Sequence, residues 1–253
     1  MSKRKIHLSK ISLLHYWKLC FRSLLLLVSA AIYIYDRILA AQSNISFAGF
    51  ITRPYIMWFI WLVFTAEMLL RFFPSQLESA GCQKVFARNY RPAPDASAHR
   101  DVSKPTLAIL AAWLGLNGLF AVLYFVGIFD KSILLLIALA YSVCDMICIL
   151  FFCPFQSWFL KNKCCGTCRI YNWDFAMMFT PLALIPHPLT WSLFALGMAL
   201  AIHWEITHLR HPERFYEETN CALSCANCKE RLCAHKKQLR SLHKKLRELK
   251  LMK

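Results

Sequence analysis

Cysteines carry the chemistry that this sequence offers. The tail reads Cys221-Ala-Leu-Ser-Cys225-Ala-Asn-Cys228-Lys-Glu-Arg-Leu-Cys233, with four thiols at spacings of four, three and five. A second run, Cys164-Cys165-Gly-Thr-Cys168, contains a two-residue gap. Short gaps let one loop turn several sulfurs toward a single ion, and zinc takes a closed tetrahedral set of thiolates or imidazoles. An iron–sulfur cluster takes thiolates, and Cys221, Cys225, Cys228 and Cys233 would supply four from one segment. A zinc arrangement instead draws Cys165 and Cys168 together with Cys225 and Cys228, clamping the tail onto the loop. Lys161, Lys163, Arg169, Lys229 and Arg231 flank the two runs. Neighbouring cations favour the thiolate and offset the charge of a four-thiolate site. The expected metal ligands are therefore Cys164, Cys165, Cys168, Cys221, Cys225, Cys228 and Cys233, with zinc or an iron–sulfur cluster as the cofactor. The competing chemistry is thiol–disulfide exchange between Cys165, Cys168 and a tail thiol.

The gaps of Cys221, Cys225 and Cys228 resemble the cluster motif of radical enzymes that use S-adenosylmethionine. The resemblance covers eight residues. Those enzymes need a large barrel, and the residue before their last Cys is usually aromatic; here it is Asn227. No Ser–His–Asp arrangement, Gly-rich phosphate loop or dinucleotide fingerprint is visible, and the chain has only seven Gly.

Ionisable residues form a second group. Glu67, Asp145, Asp174 and Glu205 sit inside apolar stretches, where charge is costly and marks function by default. Read together they form an acidic ring, which admits a metal-ion transporter as a further alternative. Asp174 also suits the first turn of a helix, as a cap. Glu205 and His208 are three apart and share a helix face. Only one such pair occurs, half of a di-iron pattern. An interfacial polar collar is the simpler reading, with a metal or quinone contact as the alternative.

The elements that must hold these groups are membrane helices. The chain of 253 residues is 58% hydrophobic and 14% aromatic with mean hydropathy +0.41, yet its net charge is +16. That composition excludes an ordinary soluble domain, a disordered chain and a small secreted disulfide scaffold. A crossing helix needs about 20 mostly apolar residues. Six runs predict spans at 19–41, 54–70, 105–129, 132–152, 173–185 and 189–208, within an all-α membrane domain over 19–208. The fifth is short, and 173–208 reads alternatively as a re-entrant hairpin. A basic N-terminus, 1–18, precedes this domain. The Cys-rich tail, 209–253, follows it.

Orientation follows from Lys and Arg in short loops. Segments 1–22, 71–104, 153–172 and 209–253 hold 27 of the 30 basic residues; their net charge is +19 and that of everything else −3. That face is expected to be cytosolic and to hold both termini, in a plasma or inner membrane. A signal peptide ending at 39–41 is the competing reading, interrupted by Asp36 and Arg37. Cytosolic thiols stay reduced, which favours metal or redox roles over structural disulfides. From Lys229 on, Leu232, Leu239, Leu242, Leu246 and Leu249 predict a basic amphipathic helix for anionic headgroups, or a short coiled coil with a partner protein. It lacks interleaved aromatics to stack bases, which argues against nucleic acid. Residues 88–104, with Pro92 and Pro94, predict a flexible linker.

Overall fold

The first helix turns its polar residues inward. In the computed structural model, which describes residues 10–43, 54–74, 80–93, 103–160 and 168–224, helix α1 runs Lys10–Ser43. Its buried positions are Ser12, His15, Arg22 and Ser29, while Leu13, Trp17, Leu24, Leu27, Ile34 and Ile38 are exposed. His15, Arg22 and Ser29 recur every seven residues, so they share one seam. Water would reverse that pattern; hydrocarbon permits it, because lipid tails solvate Leu as well as a protein core does. At 1.5 Å per residue α1 is about 51 Å long, well beyond a hydrocarbon layer of ~30 Å. The 19–41 run is therefore part of a longer helix that begins at Lys10.

The other helices are α2 (Pro54–Leu70), α3 (Ala80–Val85), α4 (Ser103–Phe125), α5 (Lys131–Leu150), α6 (Asp174–Phe179) and α7 (Pro188–Arg210). Among the described residues there is no strand, and α1, α4, α5 and α7 are long and apolar enough to cross a membrane. α5 is the central helix. Its Leu135, Ala138, Leu139, Ser142, Met146 and Ile149 are buried at helical spacing. Asp130 starts it, its Oδ1 accepting from the Ile133 N–H at 2.9 Å. The third apolar run ends earlier than its composition predicts. Gly127 takes φ +86, its N–H bonds to Tyr124 O and the Ile128 N–H to Leu123 O. This is the left-handed stop at which glycine carries no Cβ penalty.

α1 and α5 are antiparallel: Arg22 meets Asp145, and the Tyr33 hydroxyl donates to Asp130 at 3.0 Å. α2 runs beside α7 in the same direction, Trp61 donating to Ser192 and Phe72 lying against His203. One end of the bundle thus collects the start of α1 and the ends of α2, α5 and α7. We call it the polar end.

The fifth apolar run is not one α-helix. It comprises a 3-10 turn Arg169–Trp173, then α6, then a second 3-10 turn Thr180–Leu184. Pro181 has no N–H for an α-helical bond, so the helix tightens there. A 3-10 helix rises about 2.0 Å per residue against 1.5 Å, so residues 169–184 extend about 29 Å where an α-helix would reach about 24 Å. Phe175, Met178, Phe179 and Leu182 are buried, and Phe64 of α2 meets Phe179 edge-on at 5.3 Å. α7 returns beside this strip, with Pro188 in its first turn and His187 as its N-cap.

α6 approaches α7 closely at Gly197. A Cβ there would lie 3.1 Å from the carbonyl carbon and oxygen of Phe175. The obstacle is backbone of a buried segment and cannot swing aside. Gly197→Ala is expected to destabilise the protein by about 1–3 kcal/mol through overpacking. Thermal unfolding in detergent checks this, and an unchanged midpoint would mean that α6 gives way.

Candidate functional site

Every acid that the sequence singles out inside an apolar run has a cationic partner at the polar end. Arg22, 2% exposed by side chain, is the hub. Its Nη2 donates to Glu67, its Nη1 to Asp145 at 3.2 Å and to the Ser142 carbonyl at 3.0 Å. The guanidinium also lies over the Phe64 ring, 5.3 Å from its centroid. Lys18, one turn earlier on α1, reaches Glu67 at 3.6 Å. Arg71, just past the end of α2, meets the Asp174 carboxylate at 2.7 Å, with its guanidinium 4.6 Å from the Phe175 ring. Arg169 bonds Glu205 at 2.8 Å, and the Trp173 indole donates to the other oxygen of Glu205 at 2.7 Å. Four cations thus face four carboxylates. A planar donor fork suits such sites, because it satisfies several acceptors at once in a place that water does not reach.

This layer changes several expectations in detail. Asp174 does accept from the Phe175 N–H, at 2.9 Å, but its carboxylate is chiefly the partner of Arg71. Glu205 and His208 share a helix face and yet serve different partners. His208 is buried, its Nε2 3.2 Å from the Tyr216 hydroxyl and its ring against Phe215. In the sequence Arg22 and Arg71 stood out only as orientation signals, and Arg169 also as a cation beside the cysteines. Arg22 lies within the 19–41 run itself, which was the available sign that a buried cation awaited the acids.

Above the end of α7 the chain folds back on itself. Asn220, fully buried, uses its whole hydrogen-bonding capacity. Its amide donates to Lys84 O at 3.2 Å and to Arg214 O at 2.8 Å; its carbonyl oxygen accepts from the N–H groups of Arg91 and Ala222 at 3.3 and 3.0 Å. The Cys221 N–H donates to Arg91 O at 2.8 Å, and its thiol approaches Pro92 O at 3.7 Å. Residues 88–93 are therefore an ordered seat rather than the start of a flexible linker, and Ser103 and Lys104 already belong to α4.

Of the seven cysteines expected to bind metal, Cys164, Cys165, Cys225, Cys228 and Cys233 lie outside the described residues, as does the tail helix from Lys229. Cys168 packs against the cluster of Ile109, Leu160 and Ile170. Among the described residues no three His, Cys, Asp or Glu side chains are grouped to hold a metal ion.

What the sequence did not reveal is a cavity of about 380 Å³. α4 packs on the wide turn Phe155–Leu160 and on Thr180–Leu184, and it faces α5 across the cavity. Tyr141 bridges the gap, 5.2 Å from the Trp113 ring. Four thiols line the space: Cys144, Cys148, Cys153 and Cys168, with Asp145 and Asp174 on its wall. Cys144 and Cys148, four apart on α5, look in sequence like small apolar packing residues.

Among the described residues, fold and site together define a helical architecture without strands, with four helices suited to crossing a membrane and an arginine–carboxylate layer at one end. No protein-family model, curated protein or solved structure matches the chain.

Two variants test the site's supports. Arg22→Met leaves Glu67 and Asp145 without their main partner and should destabilise by about 3–5 kcal/mol. Adding Glu67→Gln and Asp145→Asn should restore part of that loss in the same denaturation assay; no recovery would show that the cation's packing, not its charge, matters. Asn220→Ala removes four hydrogen bonds, leaves backbone groups unmet, and should cost about 1–3 kcal/mol. Limited proteolysis should then cut between 85 and 93 or after 211, where the parent resists.

Proposed function

We propose that the chain is a six-span integral membrane protein with both termini in the cytosol. Its cytosolic layer carries a cysteine metal site drawn from Cys164, Cys165, Cys168, Cys221, Cys225, Cys228 and Cys233. One observation supports this reading: Cys168 and Cys221, the described members of the two cysteine runs, lie at the same end of the bundle. Arg169, next to Cys168, is bonded to Glu205 in the last turns of α7, and Asn220 seats Cys221 on the 84–92 segment. A loop and a tail anchored side by side lose less entropy on meeting at one ion than free segments would. The donor set is thiolate-rich and flanked by Lys and Arg, which fits zinc or an iron–sulfur cluster. Zinc would hold the tail in place for a partner protein. An iron–sulfur cluster would supply one-electron transfer to a membrane quinone or a partner subunit. The six-span count is supported by α2, about 26 Å long, and by the extended 169–184 strip, besides the four longer helices. The transporter alternative gains nothing from the four acids, each of which already faces a cation.

Anaerobic purification followed by metal and sulfide analysis tests the site. The parent should carry either about one zinc or iron with sulfide, as a four-thiolate site requires. Cys225→Ser with Cys228→Ser should abolish it and loosen the tail to protease. Unchanged metal content in that double variant would refute the assignment.

A further inference from the structure

The cavity between α4 and α5 combines features that the metal reading does not use. Its mouth lies on the flank of the bundle, where Ala112, Leu116 and Cys144 are exposed among apolar neighbours. A ligand would therefore enter from the hydrocarbon rather than from water. The walls carry the rings of Trp113, Tyr141, Phe155 and Tyr171. Flat aromatic walls suit a flat ligand, and about 380 Å³ falls within the roughly 300–1,000 Å³ of small-molecule sites.

The thiols are arranged in the cavity as well. α5 ends at Leu150, and the turn through Phe151 and Phe152 brings Cys153 back beside Cys148 on the last turn of the helix. The two thiols are close enough to interact, and both line the cavity. Cys153 sulfur also accepts from the Gln156 N–H at 3.4 Å. Two adjacent thiols are a two-electron, two-proton donor, and a quinone is a flat, lipid-soluble acceptor of the same stoichiometry. An acyl chain would fill the space too, but it would have no use for a thiol pair.

We propose that this cavity binds a lipid-soluble quinone and that Cys148 and Cys153 are its reductant. Both S–H bonds are lost and one S–S bond forms. Two electrons and two protons pass to the quinone, which leaves as hydroquinone. A dithiol from the aqueous side restores the pair by thiol–disulfide exchange, leaving as the oxidised disulfide. The proposal stands apart from the metal site, since neither Cys148 nor Cys153 belongs to the ligand set assigned above.

The test uses the full chain, reduced, in lipid nanodiscs under argon, with decylubiquinone, whose fully substituted ring resists simple thiol addition. Alkylation and peptide mass spectrometry should show a Cys148–Cys153 disulfide and one hydroquinone per disulfide. Cys148→Ser or Cys153→Ser should each abolish quinone reduction, while Cys20→Ser, at an exposed thiol of α1 away from the cavity, should leave it intact. Leu116→Trp, which fills the mouth from an exposed position, should block oxidation by the quinone and leave oxidation by diamide unchanged, which also shows that the variant is folded. The proposal is overturned if decylubiquinone leaves both thiols alkylatable while diamide couples them. It is equally overturned if Leu116→Trp reacts with the quinone like the parent, or if hydroquinone forms in the Cys148→Ser, Cys153→Ser double variant. Metal content measured on the same samples separates this outcome from failure of the metal site.

Discussion

A single buried guanidinium joins the two halves of this chain. Arg22 of α1 reaches Glu67 of α2 and Asp145 of α5, residues 45 and 123 positions away. None of the three charges would be stable alone at that depth, because ions removed from water lose several kcal/mol of hydration each. Together they are stable only when α1, α2 and α5 assume one relative height. The pairs Arg71–Asp174 and Arg169–Glu205 extend that constraint to α6 and α7. The layer therefore sets the vertical register of the bundle. Apolar contacts among Leu, Ile and Phe, which tolerate sliding, do not set it.

That register positions everything at the polar end. Arg71 seats α6, and α6 fixes the wall of the cavity through Asp174, Met177 and Met178. Arg169 holds the chain beside Cys168 against the last turns of α7, and from there residues 211–220 fold back to the 84–93 segment. Charge pairing, cavity shape and tail docking are thus parts of one assembly. A change in the first would be felt in the other two, which are both places where thiols gather.

Some of this was legible in the sequence. Helical, membrane-type architecture followed from apolar runs and from the segregation of basic residues. The unusual acids stood out because hydrocarbon makes them rare. Their partners did not, because Arg22, Arg71 and Arg169 fall near the ends of apolar runs, where arginine is common and serves as an orientation signal. The fifth run was read as short for a span because a residue count assumes α-helical rise, and Pro181 changes that rise. The order in 88–93 was hidden because prolines and alanines suggest a linker, and its anchor, Asn220, is 129 positions away from Arg91. The cavity was not foreseeable, since it depends on how α4 is placed against α5, and Cys148 looks like ordinary packing until the helix ends between it and Cys153.

The seat of Asn220 also bears on how the protein is made. Its acceptors and donors at Lys84, Arg91 and Arg214 belong to early and late parts of the chain. During synthesis the 84–92 segment emerges long before residue 220, and must wait while α4, α5, α6 and α7 are inserted. Only then can the cysteine-bearing tail gain a fixed address. An unfinished chain leaves this seat empty, whereas a finished one half-buries Cys221 at the start of the run. The clamp therefore joins the chain's early and late parts only once the helices between them are in place.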